Sequence, residues 1–208
     1  MKDCVDSQYD PRHCTRIDPK QGYALSPALA STPDLFVATE CISGIECEIL
    51  VKRDTPNYWN LAWTKFASSL GPHAAMAINA KHTKSGTRTR THDQLHIHLS
   101  CIDLKLTQAL DADTNIKKVP SWIIQTIPSS IGAYKYWVAF LEHEGDLASY
   151  NLFKIVYDLH NSQPDLMQYQ TLIVARRSKG GLYILNSDTA TPELNPGISN
   201  GERLLKGC

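Results

Sequence analysis

Arg90-Thr91-His92-Asp93-Gln94-Leu95-His96-Ile97-His98-Leu99-Ser100-Cys101 alternates polar and apolar side chains from Gln94 onward. In an extended strand, successive side chains point to opposite faces, so Gln94, His96, His98 and Ser100 share one face and Leu95, Ile97, Leu99 and Cys101 the other. One face carries chemistry and the other packs on a core. A lone histidine is usually a surface or satisfied core residue. Two at alternate positions, flanked on the same face by a glutamine and a serine and backed by aliphatics, read as a site.

The neighbouring segments supply partners for this strand. Ala74 to Asn79 is a compact strand before it, and Gly22 to Leu25 and Leu35 to Thr39 are further strands. Thr55-Pro56 reads as a helix start, since Thr caps and Pro is tolerated at the first helical position. Trp59, Trp63, Phe66 and Leu70 then form one apolar stripe that ends at Gly71-Pro72. A helix is expected from about Leu104 to Asp111. After a Pro- and Ser-containing connection, Tyr150, Phe153, Val156 and Tyr157 mark a third helix. Thr171 to Arg176 and Leu182 to Asn186, joined through Lys179-Gly180-Gly181, form a hairpin. Strand pairs with interspersed helices and few βαβ repeats predict an α+β domain around an antiparallel sheet. With 208 residues and no linker or repeat, the expectation is one domain over 1–208, with an N-terminal arm of about residues 1–33 packed on it.

Apolar residues make up 42% and charged residues 20% of the chain, which excludes a highly charged, disordered sequence. The 21 Lys and Arg balance the 21 Asp and Glu. That excludes the broad cationic surface of a non-specific nucleic-acid binder, so no nucleic-acid partner is expected. Phosphate recognition must then be local. From Thr55 to His92 there is no Asp or Glu, while Lys65, Lys81, Lys84, Arg88 and Arg90 fall there, and the last four enter the histidine strand. A cationic loop beside two imidazoles suits an anion, and phosphate is the obvious one. Imidazole is both a nucleophile and a proton carrier near neutral pH, as attack at phosphorus requires.

Gln94-Leu95-His96-Ile97-His98-Leu99 resembles the histidine-triad motif. Together with Thr55-Pro56-Asn57-Tyr58-Trp59-Asn60-Leu61-Ala62-Trp63, Ala77-Ile78-Asn79 and Ser100-Cys101, it is similar to the CDP-diacylglycerol pyrophosphatase branch of the HIT-like superfamily, most densely over residues 33 to 103. The resemblance implies an antiparallel HIT-like sheet with packed helices. It also implies hydrolysis of CDP-diacylglycerol, or a related nucleotide diphosphate ester, to CMP and phosphatidate. By motif position His96 is the nucleophile that forms a nucleotidyl-histidine, and His98 orients or protonates the site. Gln94 stands where the triad has its first histidine. It can hold phosphate or orient His96 but cannot act as an acid. Asn79 and Arg90 take phosphate contacts, with Lys84 and Arg88 as weaker electrostatic contributors. No cofactor or metal is expected, because fixed donors can neutralise phosphoryl charge and no carboxylate cluster suits magnesium. The partners implied are a phospholipid-nucleotide or other diphosphate ester and a peripheral membrane contact. Trp122, Tyr134, Tyr136 and Trp137 are groove candidates.

Two other readings compete. A Gln followed by His-x-His also resembles the zinc strand of α-carbonic anhydrases, but zinc needs a third imidazole, and only His143 and His160 follow His98. The fold is otherwise readable as a ligand-binding module or a non-hydrolytic enzyme. The six cysteines, Cys4, Cys14, Cys41, Cys47, Cys101 and Cys208, lack CxxC spacing. They predict up to three disulfides: Cys4 and Cys14 tying the arm, the Ser43-Gly44 turn bringing Cys41 near Cys47, and Cys208 serving as a tether. An oxidising compartment follows, secreted, periplasmic or secretory-pathway lumen, with any signal or anchor already removed.

Overall fold

A computed structural model describes residues 16–26 and 33–208, so the expected tether at Cys4 and Cys14 lies outside the described residues. Eleven strands form one sheet. Side by side they run β1 (Arg16–Asp18), β2 (Tyr23–Ser26), β3 (Asp34–Ala38), β5 (His96–Ile102), β4 (Ala74–Ile78), β9 (Thr171–Arg176), β10 (Leu182–Ser187), β8 (Gly132–Leu141) and β6 (Lys117–Lys118). Off this path, β7 (Ile123–Ser129) pairs with β8, and β11 (Leu205–Lys206) pairs with β5. The ladders among the described residues are antiparallel except β6 on β8. This is the α+β class that strand pairs with interspersed helices predict.

The period-2 pattern builds two cores, one on each face of the sheet. On one face Met76, Ile97, Leu99, Val174 and Ile184 meet Trp59 and Trp63 of the helix Tyr58–Lys65 and Phe153 and Val156 of the helix Leu152–Leu159. On the other face Ala75, Ala77, Ile173 and Leu185 meet Leu106 and Leu110 of the helix Leu104–Ala112 and Leu204 near the C-terminus. The first helix begins after Thr55-Pro56, because Asn57 is the better cap. Its Oδ1 accepts from Asn60 N at 3.1 Å, while its Nδ2 donates to Leu147 O at 2.8 Å and Tyr150 O at 3.1 Å.

The stretch read as a Pro- and Ser-containing connection contains the β7–β8 hairpin, paired from Ile123↔Val138 to Ser129↔Gly132. Pro128 fits there because β7 is an edge strand, where a missing N–H costs no ladder bond on the open side. The groove aromatics belong to this end of the sheet. Tyr136 is fully buried and Trp122 packs against the core. β8 lies four ladder steps from β5, roughly 19 Å at ~4.8 Å per step, so these side chains do not line the histidines.

Cys101 is bonded to Cys208, with Cα atoms 5.1 Å apart, so the terminal cysteine is a tether as expected. Cys41 and Cys47 are both free. The Ser43-Gly44 turn uses Cys47 Sγ instead as an acceptor for Ser43 N at 3.3 Å, a role that needs no partner cysteine.

Candidate active site

β5 lies between β3 and β4, and its register sets Val37 beside His96 and both Leu35 and Ala77 beside His98. His96, His98 and Ser100 are buried on the face opposite Ile97 and Leu99. The His96 and His98 rings meet edge to face at 5.0 Å, and the exposed His92 ring is 6.3 Å from His96. Ser100 takes no part in this cluster, since its Oγ donates to Lys206 O and fastens β11.

His96 Nδ1 lies 2.6 Å from the carbonyl oxygen of Gln94. A carbonyl can only accept, so Nδ1 carries the hydrogen and Nε2 is left with its lone pair. Burial first, and the neighbouring His98 second, push the His96 pKa down to about 4. The ring is therefore neutral throughout the neutral range, with a lone pair free on Nε2.

This has a consequence for stability. The folded-state value lies below the unfolded one of 6.5, so as the pH falls the unfolded chain binds the proton first. The contribution is fully present above about pH 6.5 and is lost as the pH falls toward about 4. Between pH 7 and 4.5 it amounts to about 2–3 kcal/mol. Urea unfolding of the wild type should lose that much more stability than His96→Gln over this interval, and parallel pH profiles would contradict it.

His98 is held by a residue that the sequence reading did not single out. Its Nε2 is 2.9 Å from Glu202 Oε2, in the 3₁₀ turn Gly201–Leu204. Asn79, just beyond β4, donates Nδ2 to the same carboxylate oxygen at 2.9 Å and accepts at Oδ1 from Glu202 N at 3.2 Å. The hydrogen bond from His98, first among the causes, holds the Glu202 carboxyl below its ordinary range. The carboxylate is therefore ionised at neutral pH and must accept, so His98 Nε2 carries the hydrogen. His98 Nδ1 is buried with no hydrogen-bond partner.

At the other end of the pair, Gly44, Ile78, Asn79, Arg90, Gln94 and His96 line a narrow, shallow cleft. Gln94 reaches this cleft from just before β5, and its Nε2 donates to Ala38 O at 2.8 Å and Glu40 O at 2.5 Å. Both amide hydrogens are thereby spent on the backbone. Gln94 acts on His96 through its own carbonyl, and its side chain has no donor left for phosphate.

Arg90 is 4% exposed and doubly paired. Its Nη1 and Nη2 grip Glu46 at 2.6 and 2.5 Å, and its Nε and Nη2 reach Asp93 Oδ1 at 3.3 and 3.1 Å. A guanidinium has five N–H donors, which leaves one hydrogen on Nη1. A Cβ at Gly44 would overlap that Nη1, so glycine is what permits the close approach. Arg88 pairs with Asp93 at 3.0 Å, and the exposed Lys84 leans on Ala190 O at 3.5 Å. Much of the expected cationic loop is thus neutralised within the protein. Lys81 has no ion pair among the described residues. Among the described residues no group of three or more His, Cys, Asp or Glu is placed to hold a metal ion, so the third imidazole that the zinc-strand reading needs is not found among them. His160 instead bonds Asn186 Oδ1 at 3.0 Å, and His143 caps a 3₁₀ turn.

A family model described as CDP-diacylglycerol pyrophosphatase matches residues 1–206. A curated CDP-diacylglycerol pyrophosphatase of Yersinia pestis is 31% identical over 143 residues, covering 64% of this chain and 52% of the relative. The chain spans about half the length of that relative. Among solved structures, yeast Ap4A phosphorylase in complex with AMP aligns with a TM-score of 0.49 at 15% identity, over 90% of this chain and 64% of that one. A second structure of the yeast enzyme gives 0.49 at 15%, over 85% and 60%.

Proposed function

The chain belongs to the CDP-diacylglycerol pyrophosphatase family, and we propose on that premise that it hydrolyses the pyrophosphate bond of CDP-diacylglycerol, or of a closely related nucleotide diphosphate ester. The observation that carries the reading is the fixed tautomer of His96, whose Nδ1 is committed to Gln94 O while its buried, neutral ring leaves Nε2 free. In the proposed reaction Nε2 attacks the phosphorus that bears cytidine. An N–P bond forms, the bridging P–O bond breaks, and phosphatidate leaves. Water then attacks the nucleotidyl-histidine and the N–P bond breaks, giving CMP.

Supporting groups surround this step. The remaining Nη1 hydrogen of Arg90 and an amide hydrogen of Asn79 are the donors proposed for the phosphoryl oxygens, with Lys81, two residues beyond Asn79, adding charge. Lys84 and Arg88 contribute charge at longer range. A diacylglycerol-bearing substrate stays in its bilayer, so the proposed partner surface is a membrane, although no helix among the described residues is long and apolar enough to cross one. The Cys101–Cys208 bond supports an oxidising compartment as the place of work.

The test is a phosphorus-resolved assay of CDP-diacylglycerol without added metal. CMP and phosphatidate should appear in equal amounts, and chelator should not change the rate. Binding of CMP without turnover would favour the ligand-binding module, and a rate lost in chelator and restored by zinc or magnesium would reject the fixed-donor mechanism.

A further inference from the structure

We infer that Glu202 is a positioning residue for the reaction, fixing His98 for proton transfer to the scissile oxygen and from the attacking water, so that the C-terminal segment is part of the site. This rests on the proposed role of His96. Because Nε2–H of His98 is committed to Glu202, Nδ1 is the ring nitrogen at which His98 exchanges a proton. That atom is buried and has no hydrogen-bond partner among the described residues. A buried polar atom left unpaired is costly unless an incoming group completes it.

The proton accounting closes over two half-reactions. As His96 Nε2 bonds to phosphorus, the proton on His98 Nδ1 passes to the oxygen of departing phosphatidate. His98 is then neutral, and its Nδ1 takes a proton from the water that breaks the N–P bond. The carboxylate of Glu202 faces the ring and offsets its positive charge whenever both ring nitrogens hold a proton.

The arrangement exceeds what the fold needs to hold its C-terminus. Three devices already do that: the β5–β11 ladder, the Ser100–Lys206 hydrogen bond and the Cys101–Cys208 disulfide. Glu202 adds a contact aimed at a histidine, and the local sequence is shaped for it. A Cβ at Gly201 would stand 3.0 Å from Thr171 Cγ2 and 3.2 Å from both Ala77 Cβ and Ile173 Cγ1, so the turn lies flat on the sheet beside the residue paired with His98. Asn79 then fixes the carboxylate by its reciprocal pair of bonds.

The test uses aryl esters of CMP graded from the p-nitrophenyl to the phenyl ester, with CDP-diacylglycerol run in parallel. A poor leaving group depends on its proton donor more than a good one. Glu202→Gln should therefore lower the phenyl ester's kcat about 10²-fold and the p-nitrophenyl ester's by no more than several-fold. His98→Gln should steepen the series in the same way, and Glu202→Gln added to it should cost little more. Equal losses across the series, or additive losses in the double variant, would overturn the role of Glu202 while leaving His96 in place. A wild type that turns over neither the esters nor CDP-diacylglycerol would overturn the reading beneath it instead. Intact Cys101–Cys208 linkage and an unchanged unfolding midpoint establish that the variants are folded.

Discussion

Replacing His96 with alanine is expected to lower CDP-diacylglycerol turnover by about 10⁴-fold or more, the scale seen when a covalent nucleophile is removed. It should also abolish an acid-labile phosphorus label that the wild type retains from cytidine-labelled substrate. The side chains lining the cleft are those of Ile78, Asn79, Arg90, Gln94 and His96, and of these only His96 is a nucleophile. Its Nε2 needs no general base, because burial keeps the ring neutral and Gln94 O holds the other nitrogen's hydrogen. The same geometry sets the expected pH behaviour. The acid limb of kcat/KM that belongs to His96 should lie near its depressed value of about 4, with no loss of nucleophile between pH 5 and 7. Label persisting in His96→Ala, or a residual rate within tenfold of wild type, would move the chemistry to another residue.

The parts of this site that were legible in the sequence are those whose cause is local. Alternation from Leu95 to Cys101 follows from the two-residue period of a strand, and the Thr171–Arg176 and Leu182–Asn186 hairpin follows from two strand-forming runs joined through Lys179-Gly180-Gly181. The Trp59-Trp63-Phe66 stripe is likewise a property of one helix and the turn that follows it. The parts that were missed are set by residues far apart in the chain. The stretch from Thr55 to His92 looks cationic because its neutralisers lie outside it: Asp93 one residue beyond, and Glu46, which only the fold brings against Arg90. Glu202 had no sequence signal at all, since nothing in a Gly-Glu-Arg turn near the C-terminus marks a partner for His98. The β7–β8 hairpin was hidden by Pro128, which reads as a break until the strand is known to be an edge. Cys41 and Cys47 were close in sequence, but nearness is not bonding when Ser43 takes the sulfur as a hydrogen-bond partner.

Severing the Cys101–Cys208 bond is expected to destabilise the fold by about 4–5 kcal/mol, because the chain-entropy cost of closing a loop grows with its length. This bridge joins residues 107 positions apart, so the unfolded chain gains much freedom when it is cut. Urea unfolding of Cys208→Ser against wild type should show the loss as a lower midpoint with a similar slope. A second effect follows from position. Without the bridge, the residues beyond Leu204 keep only the two-residue strand β11, the packing of Leu205 and the Ser100 Oγ bond, and so short a ladder frays at its end and loosens the turn before it. Glu202 lies in the turn just before it and should leave His98 for part of the time. Turnover of the phenyl ester of CMP should therefore fall more in Cys208→Ser than that of the p-nitrophenyl ester, in the same sense as Glu202→Gln. Alkylation of the native, unreduced protein should label the exposed Cys41 and spare Cys101 and Cys208. Six reactive thiols, or a stability difference under about 1 kcal/mol, would remove the bridge both as a tether and as the support that keeps Glu202 in the site.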